Sequence, residues 1–313
     1  MARVRTKEFD RDAIAHHYDV SNDFYELFLC ENMLYTCAYY RDPEGGLDQA
    51  QRDKMDLVCR KLRLSPGEDY LDIGCGWGSL AIWAAKHYGV NATGVTLSGE
   101  QAKWGQEWVK REGLEDRCRI HHMDYRDFLA DRTFSKISAV GIIEHVGIAN
   151  YPSFFSSVRA RLREEGLFLN HGITHQKFWK RTSQTDFLER HIFPNGEMDD
   201  ITHMMDVMER ERWEILDVEC LRLHYARTCH QWYDKLEENA VRAREIVGER
   251  IHRIYRTWLV CSSEAFYTGS LSLYQVLLQK HEIIRRHDLP SIREDVYKYF
   301  LTPGEEENRG VRV

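Results

Sequence analysis

The chain has 313 residues, of which 43% are hydrophobic and 12% aromatic; that is apolar surface enough for one α/β core with appendages, and it excludes a disordered or low-complexity polymer. A formal net charge of -7 argues against nonspecific nucleic-acid binding and gives no overall attraction to anionic lipid, although Arg3, Arg5, Lys7 and Arg11 form a local basic patch. No run of about 18 apolar residues is present and residues 1–12 are charged, so neither a membrane span nor a secretory signal is expected, and a cytoplasmic location is the default.

In chain order, residues 1–55 carry aromatic and acidic clusters, His17-Tyr18-Asp19 and Asn22-Asp23-Phe24-Tyr25, before any convincing strand. With residues 47–64 amphipathic, this part reads as a helical leader or lid. Ser65, Pro66 and Gly67 end the helix and release a short apolar strand over 70–73. Strands over 91–96, 119–122, 136–141 and 166–170 then alternate with helices over 79–87, 99–111 and 151–162, the pattern of parallel βαβ units.

Residues 174–200 are polar, include Phe193-Pro194-Asn195-Gly196, and read as a crossing loop that covers something. A helix over 201–211, a strand over 213–221, two long helices over 228–247 and 249–267 and an alternating segment over 271–278 follow, the last suited to an edge of the sheet. The main domain is thus expected over 56–280, with covering insertions at 174–200 and 228–267. A charged tail over 281–313 remains, in which Ser291 and Glu294 offer a capping box for a helix reaching Phe300. The eight cysteines lack paired C-x-x-C spacing and the fifteen histidines show no H-E-x-x-H pattern, so neither a metal site nor a disulfide framework is expected.

The most informative stretch is Asp72, Gly74, Gly76 and Gly78, directly after the first strand. Glycine lets backbone N–H groups come close to a ligand because no side chain intervenes. The G-x-G-x-G spacing, with an acid two residues upstream, differs from the G-x-G-x-x-G of pyrophosphate binders. It favours a nucleoside carrying an amino-acid tail, although such glycines also make ordinary strand-to-helix turns. Thr96, Leu97 and Ser98, ending the second strand, stand where polar groups meet a ribose, and Asp124 and Tyr125, after the third, where an adenine would be bracketed.

Taken together, a set of motifs resembles the cyclopropane fatty acid synthase family, which includes the mycolic acid cyclopropane synthases. The carriers are the two leader clusters, Tyr35-Thr36-Cys37-Ala38-Tyr39, the glycine loop from Leu71 to Gly78, Gly94-Val95-Thr96-Leu97-Ser98, Glu144-His145-Val146-Gly147, Phe193-Pro194, His224-Tyr225-Ala226-Arg227-Thr228 and Gly269-Ser270-Leu271. The resemblance covers about residues 13–280. It implies an α/β, Rossmann-like, seven-stranded class I methyltransferase sheet with the last strand antiparallel. It also implies an S-adenosylmethionine site using Tyr35, Thr36, Gly74, Gly76, Thr96, Gln101 and Tyr125, to which the loop adds Asp72, Gly78 and Leu97. Beside the sulfonium, the resemblance implies a bicarbonate ion held by Cys37, Glu144, His171, Ile173 and Tyr225.

The implied reaction is methyl transfer to the cis double bond of an unsaturated fatty acyl chain, closing a cyclopropane ring through a carbocation that the bicarbonate deprotonates. An isolated alkene is a weak nucleophile, so the reaction needs alignment in a dry pocket, stabilisation of a developing cation and a base. Singly, each residue also has a structural reading: Cys37 as a buried thiol, Glu144 as a cap, His171 as a satisfied core histidine, Tyr225 as a loop anchor. Val20-Ser21, Asn170 and Gly172 depart from the family pattern near the expected substrate and bear on the product. The same cation, losing its proton elsewhere, leaves a methyl or methylene branch; an amine acceptor and a non-catalytic lipid-binding role are the further readings. The implied partner is an unsaturated phospholipid at the membrane surface or an acyl chain on acyl carrier protein, entering an apolar tunnel. Peripheral contact with the inner membrane face is compatible with this, a homo-oligomer is left open, and no nucleic acid is expected.

Overall fold

The computed structural model describes residues 21–128, 132–192, 196–281, 289 and 292–297. The expected His17-Tyr18-Asp19 and Phe193-Pro194 motifs, Val20, and the helix end at Phe300 lie outside the described residues. The strands are β1 Asp69–Ile73, β2 Asn91–Thr96, β3 Cys118–His122, β4 Phe134–Val140, β5 Leu162–His175, β6 Asp199–Asp200, β7 Trp213–Cys220 and β8 Leu271–Lys280. Seven of them lie in the order β3-β2-β1-β4-β5-β8-β7, and the two-residue β6 pairs with the end of β5. The first five are parallel, whereas β8 runs antiparallel to both β5 and β7. The expected class I methyltransferase sheet is therefore present, extended by β6. Its chain order reverses at β1, between β2 and β4, which opens a crevice outside the carboxyl ends of these strands.

Alternation along the strands divides the apolar side chains between two faces. Tyr70, Ala92, Ile120 and Leu169 join the core that contains the leader and the late helices. Leu71, Ile73, Ile137 and Phe168 join the other, with Phe154, Phe155 and Trp213. On the first face the leader helix Asn22–Glu26 sets Phe24 edge-on to Tyr255 at 4.9 Å. Tyr25 and Tyr255 share a hydroxyl contact of 3.1 Å, and Trp77 Nε1 donates to Asn22 Oδ1 at 2.8 Å. The leader is thus pinned directly onto the glycine loop.

The structure departs from the sequence expectations in several places. The segment 271–280 does not form an edge; it lies between β5 and β7, and residues 275–280 are all buried, which the half-buried β7 is not. Within the expected crossing loop, β5 runs on to His175 and a helix spans Ser183–His191, capped by Thr182, whose hydroxyl accepts from Thr185 N at 3.3 Å. Of the two late helices, Arg222–Glu238 begins ahead of residue 228. The second, Ala240–Thr268, is interrupted at Gly248 (φ 78°, ψ 162°), where the sequence places the separation.

Helix Leu47–Lys61 crosses the expected domain boundary at residue 55 and is polar yet almost wholly buried. Its buried polar side chains are accommodated because each makes at least one polar contact. Gln51 Nε2 donates to Thr36 O at 2.9 Å, Arg60 Nε to Asp56 Oδ2 at 2.5 Å, and Asp56 also accepts from the Tyr88 hydroxyl. Lys61 Nζ lies 3.2 Å from Asp217 Oδ2 and 2.5 Å from Glu219 Oε2 on β7. Lys61→Met would leave two largely buried carboxylates, with Arg293 retained 2.7 Å from Asp217. We expect a loss of about 2–3 kcal/mol, measured as a lower urea midpoint at unchanged m-value; a shift below about 0.5 kcal/mol would mean that solvent already screens the pair.

Candidate active site

Gly74, Gly76 and Gly78 have φ of 71°, 57° and 89°, a conformation that glycine alone adopts without strain. A Cβ on Gly74 would come within 1.9 Å of Ile142 Cδ1, whereas one on Gly76 would meet open space. The backbone is held there by Val95 O, which accepts from Gly74 N at 2.9 Å and Cys75 N at 3.0 Å. Gly78 precedes helix Ser79–Tyr88 and packs on Ile120. Asp72 accepts from Ser138 Oγ at 2.6 Å, and Ser138 in turn contacts the Tyr70 hydroxyl at 2.6 Å. Burial pushes the Asp72 carboxyl up to about 7, opposed by Ser138 and by the charge of Lys54.

A cavity of about 710 Å³ lies over this loop, within the range of small-molecule sites. Of the sequence-assigned residues, Cys37, Glu144, His171, Ile173 and Tyr225 line it, as do Tyr35, Thr36, Asp72, Gly74, Gly76, Thr96, Leu97, Gln101 and Tyr125, whereas Gly78, Ser98 and Asp124 do not. Thr96 Oγ1 donates to Gln101 Oε1 at 2.9 Å, and Ser98 Oγ caps helix Gly99–Arg111 by accepting from Gln101 N at 3.3 Å. Asp124 does not bracket the cavity. Its carboxylate is held by Arg126, with Nε at 2.9 Å and Nη2 at 2.6 Å, and this guanidinium lies 5.5 Å from the Tyr125 ring centre. Tyr125 and Arg126 therefore form that wall.

The far end is dry. Glu144 Oε1 accepts from Ile173 N at 2.5 Å, and its Oε2 has no protein partner among the described residues. Burial pushes this carboxyl up to about 7, opposed by the Ile173 N–H. His171 receives Gln275 Nε2 on its Nδ1 at 3.2 Å, and its Nε2 is without a partner among the described residues. Burial, then the charges of Lys54 and Lys61, bring the imidazole down to about 3. It is neutral, and with Nδ1 accepting, the proton sits on Nε2 and points into the cavity. Cys37 Sγ contacts Ala38 O at 3.1 Å, and burial raises its thiol well above the ordinary value, so it is no thiolate. Tyr225 stacks on Phe266 at 4.5 Å on helix Arg222–Glu238 rather than on a loop.

Lys54, Ser138 and Gln275 are site residues that sequence reasoning missed. Lys54 Nζ donates to Thr36 Oγ1 at 3.0 Å and borders the cavity, and burial lowers its ammonium to about 8. Nothing local marks it, since it sits on a helix whose polar residues read as a solvent face. Asn170 and Gly172, expected near the substrate, do not line the cavity. Asn170 is directed at Met204, 3.6 Å from its sulfur, and a Cβ on Gly172 would come within 2.2 Å of Ile143 Cγ2. Their small size answers to packing behind the strand.

The sheet, the glycine loop and the cavity at its carboxyl edge define the class, an S-adenosylmethionine-dependent methyltransferase, and known proteins narrow it. The family model described as mycolic acid cyclopropane synthetase matches residues 5–276, and the chain belongs to that family. It is similar to a probable fatty acid methyltransferase of Pseudomonas putida, 44% identical over 299 residues, which are 95% of this chain and 76% of that protein. The cyclopropane-fatty-acyl-phospholipid synthase of Escherichia coli is 35% identical over 268 residues, 84% of this chain and 66% of that one. A mycolic acid cyclopropane synthase solved with SAH and CTAB superposes with a TM-score of 0.82 at 31% identity, covering 86% of this chain and 98% of that one. Across these and further curated relatives the chain spans from 76% down to 54% of their length.

The raised pKa of Glu144 has a measurable consequence. Its folded value of about 7 exceeds the ordinary 4.5, so folded protein binds this proton more tightly than unfolded, and the contribution to stability is lost as pH rises through about 7. In cofactor-free Glu144→Gln that loss disappears. The difference in unfolding free energy should move in the variant's favour by on the order of 3 kcal/mol across this window, read by urea unfolding. A pH-independent difference would mean that Glu144 titrates in the folded protein as it does in the unfolded chain.

Proposed function

We propose that the chain methylates the cis double bond of an unsaturated fatty acyl chain and closes it to a cyclopropane, with a bicarbonate ion bound beside the cofactor. The observation that carries this reading is the pair of buried atoms with no protein partner among the described residues, His171 Nε2 and Glu144 Oε2, on residues that line the same cavity as the glycine loop. A neutral histidine donating from Nε2 and a carboxyl at about 7 can both donate to a small anion, and Lys54 supplies positive charge nearby. S-adenosylmethionine supplies the methyl group when bound over the glycine loop, and bicarbonate supplies a base when held by Cys37, Glu144, His171, Ile173 and Tyr225.

This chain's own residues would do the rest. Gly74 and Gly76 keep the loop free of side chains, so the cofactor's tail can lie against backbone N–H groups, and the Thr96–Gln101 pair presents oxygen and amide groups towards a ribose. Tyr225, Phe266 and Trp258 offer aromatic faces to a developing carbocation and exclude water from it. The lipid character of the acceptor is supported by this apolar half of the cavity and by the fatty acid and phospholipid enzymes among its relatives. A second reading is favoured by the name of the Pseudomonas putida relative: the cation loses a proton from the chain to leave a methyl-branched alkene, or, after a hydride shift, from the new methyl to leave a methylene branch.

Expression in a host rich in monounsaturated phospholipid, followed by mass spectrometry of its fatty acids, tests the proposal. We expect a gain of one CH₂ that resists mild hydrogenation; a product that takes up hydrogen favours the branched reading, and label appearing on a soluble amine instead of on lipid refutes both. For Glu144→Gln we expect cofactor affinity within about threefold of wild type and turnover lower by about a hundredfold or more. A parallel loss of cofactor affinity would place Glu144 in the cofactor site instead.

A further inference from the structure

The cavity is bordered by the turn that follows β5, through Trp179, Lys180 and Arg181, and by the end of helix Ala240–Thr268 and the residues after it, through Phe266 and Ser270. The turn is unusual in composition: residues 175–182 read His-Gln-Lys-Phe-Trp-Lys-Arg-Thr, with no acid among them. Trp179 is tucked in, stacked on His175 at 5.0 Å, and its neighbour Phe178 is 89% exposed. On the helix side Tyr267 is 70% exposed. Gln176 Nε2 ties the turn to the other side by donating to Gly269 O at 2.5 Å, and Arg222 Nη1, from helix Arg222–Glu238, holds the helix end by donating to Phe266 O at 2.6 Å and Tyr267 O at 2.7 Å. Arg181 pairs with Asp186 at 2.5 Å, and Lys177 and Lys180 are exposed on either side of Phe178.

Single exposed apolar residues are common on protein surfaces, but exposed aromatic rings beside exposed lysines, on two segments that border one cavity, are a different case. We propose that this rim docks on an anionic phospholipid bilayer, with Phe178 and Tyr267 entering the interface and Lys177 and Lys180 facing the headgroups. An acyl chain can then pass from bilayer to cavity without crossing water. The turn is locally positive against the chain's net -7, so it favours the orientation that brings this border of the cavity to an anionic surface. An acidic carrier protein would satisfy the lysines and leave Phe178 in water; a bilayer satisfies both. The purpose of the docking rests on the lipid reading above, while the docking itself is measurable without it.

The test is sedimentation of the whole chain with vesicles of phosphatidylglycerol and phosphatidylethanolamine, or of phosphatidylcholine alone, together with methyl incorporation into vesicle lipid and calorimetric affinity for S-adenosylhomocysteine. Wild type should bind the anionic vesicles, more weakly as salt rises. Phe178→Asp should weaken binding about tenfold or more and Lys177→Gln/Lys180→Gln about twenty-fivefold, both keeping their S-adenosylhomocysteine affinity. Phe178→Ala, a milder change at an exposed site, serves if the aspartate variant loses that affinity. Vesicle binding unchanged in the variants overturns the proposal, as does binding of an acidic acyl carrier protein with none to vesicles. Docking without any methyl incorporation upholds the surface and refutes the lipid function. Incorporation into vesicle lipid that the variants leave intact does the reverse.

Discussion

Burying ionisable groups around one cavity is the constraint around which this protein is organised. Lys54, Asp72, Glu144 and His171 all border the cavity, and for each the largest influence on its titration is burial, which drives it towards its neutral form. The acids rise to about 7 and the imidazole falls to about 3, while the lysine, at about 8, keeps its proton at neutral pH. Left unattended, such groups cost several kcal/mol each. The surrounding architecture supplies Ser138 to Asp72, Ile173 N–H to Glu144, Gln275 to His171 and Thr36 to Lys54.

These partners come from all over the chain, and the sheet order is what collects them. Asp72 ends β1, Ser138 lies on neighbouring β4, His171 and Ile173 lie on β5, and Gln275 comes from β8, inserted antiparallel beside β5 with Gln275 in register with His171. Glu144 follows β4 on the short helix Ile143–Val146, which turns its carboxyl back onto β5. The polar helix Leu47–Lys61 closes the remaining side. Its middle reaches the cavity through Lys54 and its C-terminal end clamps the edge strand through Lys61, so the leader and the sheet are held by a single element.

Much of this was legible in the sequence because the signals are local. The glycines, the βαβ alternation and the Gly-Val-Thr-Leu-Ser end of β2 declare themselves within a few residues, and the motif residues from Cys37 to Tyr225 do converge on one cavity. What was illegible depends on partners far away in sequence. The burial of Leu47–Lys61 could not be read from a helix whose lysines and acids look solvated, and nothing near residue 275 announces a strand destined for the interior of the sheet. The helix Ser183–His191 is different: its capping signal, Thr182 with Thr185, was present and was outweighed by the polarity of the segment. Asn170 and Gly172 misled for a third reason, since adjacent strand residues face opposite ways, and their neighbours His171 and Ile173 take the cavity side.

The same burial that assembles the site limits what its own side chains can do with a proton. An imidazole at about 3 is too weak a base to accept one near neutrality, and a thiol raised far above its ordinary value, as in Cys37, stays protonated. Glu144 has a suitable value, about 7, but one carboxyl oxygen is committed to the Ile173 N–H, which fixes where the other points. A set of groups that donate hydrogen bonds, lean neutral and have a lysine close by is a receptor for an anion rather than a base in itself. That is the physical support for assigning the proton transfer of the proposed reaction to a bound ion. It also means that the choice between ring and branch would turn on where these donors hold that ion relative to the cation, a matter of positioning by Glu144, His171 and Gln275 more than of their own basicity.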